Sequence, residues 1–325
     1  MADPDMVEGA ALARVLRQAG GAEILNTLGV RLSGSDLVTL LLAAFRTRAG
    51  FLTPADVLRR YSEDRFVAPA QAGFRRLRRA EDLLLSAVPD RYELLTLAPV
   101  TPLGTHSVVG GVNQNNVLAT VRGSEVAADP TSGLALEAAV RRRELLARDG
   151  RSAPPVRLAT LQRVIRAQRF GGPGRFAHFS LLALVTAGRD TGSLAFERRS
   201  CAEQLRILCA ALEAAGVETV EVALTVLDPA AAPIAEAARA ALADHPKILV
   251  RDDPDRSGGR GYYTGCCFKL GAVLDGERVE LGDGGFVDWT RRLLGNRKER
   301  LLTSAVSVDR LALFVDPPAP RPDDA

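Results

Sequence analysis

The chain has 325 residues, of which 47% are apolar and 25% charged, a balance typical of soluble globular proteins with ample core. The formal charge is only +3, and the strong preference for Arg over Lys is more typical of a GC-rich genome than of a nucleic-acid surface. No apolar run approaches the roughly 18 to 20 residues of a membrane span, the start lacks a signal-peptide pattern, and the four Cys show no disulfide or metal spacing, so we expect a cytoplasmic protein.

The first part of the chain predicts short helices up to Asp64. One should begin at Thr53, because Thr is a good N-cap and Pro54 suits the first helical position. Nothing catalytic is apparent there. We predict an N-terminal helical segment over residues 1–66, a larger domain over 67–316, and a disordered tail rich in Pro and Asp over 317–325.

The next elements are a helix and a strand. Apolar residues recur at helical spacing over 68–87, and residues 92–99 predict a strand that ends at Pro99. A second helix is predicted over 134–148, after a turn-like segment at 129–133. The Arg-rich runs inside these two helices, 74–79 and 141–143, predict solvated helix faces.

The second half alternates strands and helices. Strands over 156–168 and 176–186 should pair through a tip rich in Gly. The remaining predicted elements are helices over 200–215 and 232–244, strands over 218–226 and 247–251, and a hairpin of 262–274 and 278–281 that turns at Asp275-Gly276. This succession predicts an α+β fold, an antiparallel sheet flanked by helices. No strand is followed by the GxGxxG of a Rossmann domain.

The segment VIRAQRFGGPGRFAHF, residues 164–179, resembles motif 2 of class II aminoacyl-tRNA synthetases. The resemblance implies that Arg166 holds the α-phosphate of ATP and the substrate carboxylate, since a guanidinium can bridge two oxygens. It implies that Phe179 stacks on adenine and that Arg175 approaches the triphosphate. Gln168 replaces the glutamate of the family, and its amide can still hydrogen-bond the adenine edge.

Two further segments resemble the other class II motifs. Helix 70–87 with the strand ending at Pro99 resembles motif 1, which implies a homodimer. Residues 303–313 resemble motif 3 and imply that Arg310 contacts the γ-phosphate; a surface arginine on an amphipathic helix is the alternative. Thr303 and Ser307 replace small glycines of the family and could crowd the ATP site. Together these motifs imply ATP and Mg²⁺ as cofactors, with Arg166 and Arg310 as the catalytic residues.

The closest local match is GRGYYTG, residues 259–265, which resembles the RGLDYYTG signature of histidyl-tRNA synthetase. The resemblance implies a substrate pocket, and the residues that it assigns to this pocket here are Tyr262, Tyr263 and Thr264, with Asp288 from a GGRYD-like segment and Asp129 and Thr131 from an RPEGT-like one. The activating arginine of the family aligns with Gly258, so Arg256 or Arg260 would have to replace it.

Two substitutions change the predicted substrate. Leu181 and Val185 stand where histidyl enzymes carry a glutamine and a glutamate that recognise histidine. A pocket that lacks the bonding group strongly rejects the ligand that needs it. We therefore expect a small carboxylic or amino acid other than histidine.

Three functions remain open at this stage. The first is an ATP-dependent ligase that adenylates an acid and passes the acyl group to a carrier protein or a small amine. The second is a non-catalytic regulatory subunit resembling that of ATP phosphoribosyltransferase, and the third a catalytically dead scaffold. Few residues follow Arg310, so no anticodon-binding domain and no tRNA partner are expected. The polar stretch 101–125 either lines a changed substrate pocket or satisfies backbone groups in a long connection.

Overall fold

The computed structural model describes residues 4–168, 176–259, 261–274 and 276–315. These residues form two compact units. One contains the chain up to Asp64 together with Ala119–Ser124, and the other contains Arg65–Leu118 and the chain from Glu125 onward. Within the described ranges, no helix is long and apolar enough to cross a bilayer.

The first unit is helical. It contains α1 (Pro4–Gln18), α2 (Glu23–Asn26), which continues into a π-helical turn at Thr27–Arg31, α3 (Gly34–Gly50) and α4 (Pro54–Glu63). Helix α4 begins where the sequence predicts. The Thr53 hydroxyl accepts a hydrogen bond from the Asp56 amide at 3.2 Å, and the Asp56 carboxylate accepts one from the Thr53 amide at 3.1 Å, which completes a capping box.

The second unit contains the remaining elements. Its helices are α5 (Phe74–Ser86), α6 (Pro130–Asp149), α7 (Ala195–Ala214), α8 (Ala232–Leu242), α9 (Trp289–Leu294) and α10 (Val308–Leu311). Its strands are β1 (Glu93–Leu94), β2 (Val100–Pro102), β3 (Ser124–Val126), β4 (Val156–Ile165), β5 (His178–Arg189), β6 (Val220–Val226), β7 (Ile248–Asp252), β8 (Thr264–Leu274), β9 (Glu277–Val287) and β10 (Glu299–Ser307).

Eight of these strands form one sheet in the order β1-β4-β5-β10-β9-β8-β6-β7, and β2 pairs with β3. The central pairs are antiparallel, while β1 and β4, and β6 and β7, are parallel. The predicted pairing of β4 with β5 is confirmed, from Val156 opposite Ala187 to Ile165 opposite His178. The predicted α+β fold, a large sheet flanked by helices, is likewise confirmed.

Each face of the sheet carries its own core, because successive side chains of a strand point to opposite faces. Leu182 and Leu184 of β5 pack in the cluster that contains the buried faces of α5, α7 and α8. Ala183 and Val185 pack on the other face, in the cluster that contains Leu134 of α6. Helix α6 thus covers the face of the sheet that carries the predicted site.

Several elements differ from their predictions for identifiable reasons. Helix α6 begins four residues early, because the Asp129 side chain caps it by accepting from the Thr131 amide at 2.9 Å and Pro130 occupies its first turn. Only Glu93–Leu94 of the strand predicted over 92–99 forms a strand. Beyond it, side chains of β4 bind backbone carbonyls in place of strand-to-strand hydrogen bonds: Thr160 donates to the Leu95 carbonyl and Gln162 to that of Ala98, each at 2.7 Å.

The prediction of a solvated Arg run at 141–143 is wrong for Arg142. Its side chain is fully buried, and the guanidinium binds both oxygens of buried Glu299 at 2.8 and 2.9 Å. Two backbone acceptors satisfy it further, because Nη1 donates to the carbonyls of Ala153 and Pro154 at 3.3 and 2.6 Å. The other predicted elements of the second half are present, with β9 extending six residues past its predicted end.

Candidate functional site

A cavity of about 230 Å³ opens beside the first residues of β5, the middle of β9 and the end of β10, next to the loop before α6. Positive, negative and apolar side chains line it, among them Asp129, Arg166, Phe179, Leu181, Asp283 and Arg310. Its wall therefore presents charge of both signs.

Arg166 follows the last residue of β4 and extends the ladder, since its amide donates to the Ala177 carbonyl at 2.8 Å. Its guanidinium donates through Nε to the Ala128 carbonyl at 2.9 Å and through Nη2 to Asp129 Oδ2 at 3.1 Å. The guanidinium carbon lies 5.1 Å from the centroid of the Phe179 ring. Such a cation–π contact contributes about 0.5–2 kcal/mol, so the side chain is held in place before any ligand binds.

Arg310 lies in α10, directly after β10. The Ser307 hydroxyl caps this turn by accepting from the Arg310 amide at 3.3 Å, and Arg310 Nη1 donates to the Glu280 carbonyl at 2.6 Å. Glu280, Ser307 and Arg310 all line the cavity. Thr303 is buried in β10, and its hydroxyl meets the Gly285 carbonyl at 3.4 Å.

Asp129 is held at the entrance to α6 by three protein donors. Its Oδ1 accepts from the amide and the hydroxyl of Thr131, at 2.9 and 2.7 Å, and Oδ2 accepts from Arg166. The side chain of Thr131 also neighbours Tyr262, where it opposes the rise in the pKa of that tyrosine.

Tyr262 stands at the centre of an aromatic group. Its ring packs edge-on against Tyr263, with centroids 4.8 Å apart, and against Trp289 at 5.3 Å. Burial raises the pKa of both tyrosines well above the ordinary value. They therefore remain neutral and act as packing and hydrogen-bonding groups rather than as bases.

Arg256 reaches the site from the loop before β8. It donates to the carbonyls of Gly258 and Phe268, at 2.7 and 3.0 Å, and to Asp283 Oδ2 at 3.0 Å. The guanidinium carbon lies 5.2 Å from the Tyr263 ring centroid. Of the two arginines that the sequence offers as replacements at Gly258, Arg256 is thus engaged with the cavity wall.

Other predicted site residues lie away from the cavity lining. Gln168 is exposed, Val185 is fully buried in the core beside Tyr263, and exposed Thr264 donates its hydroxyl to the Phe286 carbonyl at 3.2 Å. Asp288 follows β9 and accepts from Arg292 Nε at 2.9 Å. Arg175 and Arg260, together with the tail over 317–325, lie outside the described residues.

Three cavity-lining residues, Phe176, Glu280 and Asp283, carry no family pattern and were not predicted from the sequence, whereas Ser307, expected to crowd the ATP site, lines the cavity. A signal for Asp283 exists. It directly precedes the Gly284-Gly285 pair already compared with the family, and strand alternation places positions 281, 283 and 285 on one face. The sequence does not show how β9 pairs with β8 and β10, and only this pairing reveals that the cavity lies on that face.

The polar stretch 101–125 satisfies backbone groups. Buried Glu125 accepts from the amides of Gly104 and His106, at 3.1 and 2.8 Å, and from the Gln114 side chain at 2.9 Å. His106 Nε2 accepts from the Ala128 amide at 2.9 Å. His178 is structural as well, since its Nδ1 accepts from Arg163 at 2.8 Å and its Nε2 contacts the Ala68 carbonyl at 2.5 Å.

No protein-family model and no curated protein matches this sequence. Several solved structures match the fold. An ATP phosphoribosyltransferase regulatory subunit/histidyl-tRNA synthetase from Bacillus halodurans matches with a TM-score of 0.57 at 16% identity, over 77% of this chain and 83% of that one. Histidyl-tRNA synthetase from S. aureus gives 0.54 at 18%, over 74% and 65%, and that from Nostoc sp. PCC 7120 gives 0.54 at 14%, over 78% and 76%. The chain therefore has the class II aminoacyl-tRNA synthetase-like fold, at low sequence identity to the histidyl enzymes.

Proposed function

We propose that this protein binds ATP and activates a small carboxylic acid by adenylation. The observation that carries the proposal is the placement of Arg166 and Arg310 on one cavity, with Phe179 packed on Arg166. Two guanidinium groups that converge on one cavity suit a polyphosphate, and an aromatic face beside them suits a base. The fold supports the same interpretation, since histidyl-tRNA synthetases share it.

The chemistry assigned to the two arginines is electrostatic. In adenylation, an oxygen of the acid bonds to the α-phosphorus of ATP, and pyrophosphate leaves with the electron pair of the broken bond. Negative charge builds on the α-phosphoryl oxygens as this occurs, and a preorganised guanidinium stabilises it. Arg166 suits this task because the Ala128 carbonyl, Asp129 and Phe179 hold it in advance.

The residues present also fit the Mg²⁺ that accompanies ATP. Magnesium in nucleotide sites usually takes one or two carboxylates and completes its shell with phosphate oxygens and water. Glu280 lines the cavity and its side chain is half exposed, and Mg²⁺ would have to displace Lys269 Nζ, which lies 2.9 Å from its carboxylate. Among the described residues, no three His, Cys, Asp or Glu side chains gather into a metal site, so the phosphates would supply most ligands.

A regulatory role is the second candidate, and one observation favours it. Arg256 takes the approximate place of the activating arginine, but its Nε, Nη1 and Nη2 all donate to protein acceptors. Because this side chain is also only 1% exposed, its guanidinium is poorly placed to polarise a substrate carboxylate. One matching structure carries the name of a regulatory subunit together with that of a synthetase, which is compatible with either role.

Exchange of labelled pyrophosphate into ATP, with a panel of amino and other carboxylic acids, separates the two candidates. We expect one acid to support exchange and Arg166→Ala to lower it at least about a hundredfold, because electrostatic groups of this kind contribute about 3–4 kcal/mol. Arg239→Ala is the matched control, since Arg239 forms a similar Arg–Asp pair, with Asp252 at 2.8 Å, outside the cavity.

Calorimetric titration with ATP completes the test. ATP binding without exchange by any acid would support the regulatory role. Absence of both ATP binding and exchange would refute the proposed function. Unchanged exchange in the Arg166→Ala variant would refute the role of this residue.

A further inference from the structure

Asp283 is a carboxylate with spare bonding capacity on the cavity wall. Its Oδ2 accepts from Arg256 at 3.0 Å, and no other donor among the described residues is hydrogen-bonded to it. The side chain is 42% exposed and lines the cavity. A carboxylate can accept about four hydrogen bonds, so Asp283 offers free acceptor positions to a ligand.

Arg256 fixes the orientation of Asp283. The arginine side chain is 1% exposed, two carbonyls and the face of Tyr263 hold it, and it has no further freedom to turn. Gly259 is part of this arrangement. Its φ is +80°, and a Cβ there would lie 3.1 Å from Arg256 Nη2 and 3.3 Å from the Tyr263 ring. The Asp283 carboxylate is therefore preorganised before any ligand binds.

Asp129 is engaged differently, although the family resemblance also assigns it to the substrate pocket. Its two oxygens already accept three hydrogen bonds, two from Thr131 at the cap of α6 and one from Arg166. Moving Asp129 toward a ligand would release both the cap and Arg166. Within the described part of the chain, Asp283 has a single donor, so it is the better receptor for a ligand cation.

The rest of the wall suits a ligand with opposite charges at its two ends. Arg166 and Arg310 bring positive charge to the cavity, which suits an anionic group, and Leu181 and Ala305 provide an apolar surface on the same cavity. Asp283 lies opposite Ala305 in the register of β9 and β10. A small zwitterion with an apolar side chain satisfies all three surfaces.

We propose that the acid taken by this site is a small amino acid with an apolar side chain, that Asp283 is the receptor for its ammonium group, and that Arg256 positions Asp283. The inference rests on the proposed function, because it deepens the substrate assignment of the same cavity. It places ammonium recognition on strand β9.

The test is calorimetric titration of the full chain with pairs of acids that differ only in the amine. The probes are glycine, L-alanine, L-valine and L-leucine, each paired with acetate, propionate, 3-methylbutanoate and 4-methylpentanoate respectively. We expect at least one amino acid to bind about ten- to a hundredfold more tightly than its deamino partner. This is the affinity ratio that one hydrogen bond to a charged group provides. Equal binding within every pair, or binding by none of the four amino acids, overturns the inference.

The variant Asp283→Asn should lower the affinity for that amino acid at least about tenfold and leave the affinity for its deamino partner and for ATP unchanged. Asp252→Asn, an Asp of an Arg–Asp pair outside the cavity, is the matched control. Unchanged amino-acid affinity in Asp283→Asn overturns the inference. If that variant does not fold, the paired titrations of the unmodified protein still decide the matter.

Failure of this inference is distinguishable from failure of the proposed function. ATP binding and exchange without an amine preference would leave adenylation standing and remove Asp283 as receptor. An amine preference without ATP binding would leave Asp283 standing as the receptor and would refute the proposed function.

Discussion

Arg142 and Glu299 show how strongly a single pair can hold α6 against the sheet. Both side chains are fully buried, two hydrogen bonds join the guanidinium to the carboxylate, and two carbonyls take the remaining donors of Nη1. A pair of this kind can be matched by apolar residues of similar volume, but loss of one partner leaves a buried charge alone. The arrangement distinguishes Arg142 from its neighbour Arg141, which pairs with half-exposed Glu93.

We therefore expect Arg142→Met to lower the free energy of unfolding by about 3–5 kcal/mol, because Glu299 loses its compensation. The double variant Arg142→Met/Glu299→Leu should recover most of the loss. Arg141→Met is the control, with a cost within about 1 kcal/mol for a partly exposed pair. Urea unfolding followed through Trp289, the one tryptophan in the chain, measures all three. A double variant no more stable than Arg142→Met would contradict this account.

Tyr92 predicts a measurable pH dependence. Burial raises its pKa from 10.0 to about 12, and its hydroxyl is hydrogen-bonded to that of Thr186 at 2.8 Å. The unfolded chain ionises Tyr92 near its ordinary pKa, so above that pH the unfolded state has lost a proton that the folded state retains. The stabilising contribution is therefore complete below about pH 10 and is lost as the pH rises toward 12, by about 1.4 kcal/mol per pH unit.

Comparison with Tyr92→Phe isolates this contribution. The variant cannot ionise at this position, so the difference in unfolding free energy between the unmodified chain and the variant should be constant below about pH 10 and shrink above it. Urea titrations at intervals of half a pH unit measure the difference. A constant offset through the whole range would show that Tyr92 ionises normally in the folded state.

Of the residues that line the cavity, those within a family motif could be predicted from the sequence, and those placed there by strand register could not. Arg166, Phe179 and Arg310, which the family motifs mark, line one cavity although they are far apart in sequence. Asp283 belongs to no motif, and its pairing with Arg256 depends on the path of the loop before β8. Arg142 was assigned to a solvated face because local pattern cannot show that Glu299 lies opposite it.

Strand β9 is the element whose sequence is most tightly constrained by packing. A Cβ at Gly284 would lie 2.5 Å from the Phe268 ring and 2.7 Å from Ser304 Cβ, and one at Gly282 would lie 2.3 Å from the Ala305 carbonyl oxygen. These distances are far inside van der Waals contact. The glycines thus let β9 lie between β8 and β10 with aromatic side chains packed over its backbone.

We expect Gly284→Ala to lower the free energy of unfolding by at least about 1–3 kcal/mol, the usual cost of overpacking. Gly261→Ala is the control, since nothing lies within 4 Å of a Cβ there and its φ is not positive. Its effect should stay within about 0.5 kcal/mol. Chemical unfolding compares the two variants, and equal stability would contradict the packing argument.

Element boundaries were predictable where a local signal fixes them. The Thr53 cap of α4 and the pairing of β4 with β5 follow from residue type and alternation. The start of α6 was misplaced because Asp129 and Pro130 suit a turn as well as a helix start. The shortness of β1 could not be predicted, since it depends on Thr160 and Gln162 of another strand taking the carbonyls that a ladder would use.

At the scale of the whole molecule, the sheet and its cavity belong to one compact unit. The buried hydrophobic clusters on both faces of the sheet draw their members from residues after Ala70, and the cavity lining begins at Asp129. Residues up to Asp64 belong to the other unit. The physical conditions for independent folding, a closed core and a complete sheet, are thus met by the chain from Arg65 onward.

A truncated chain that begins at Arg65 should therefore fold cooperatively and keep the ATP affinity of the full chain. The segment Ala119–Ser124, which clusters with the first unit, remains present in it. Far-ultraviolet circular dichroism should show loss of the helical signal of α1 to α4 only, and thermal unfolding through Trp289 should remain a single transition, because the core around this residue is unchanged. Calorimetric titration with ATP, on both chains under the same conditions, provides the functional comparison. A truncated chain that is unfolded, or that is folded but has lost ATP binding, would show that residues 1–64 contribute to the core or to the site.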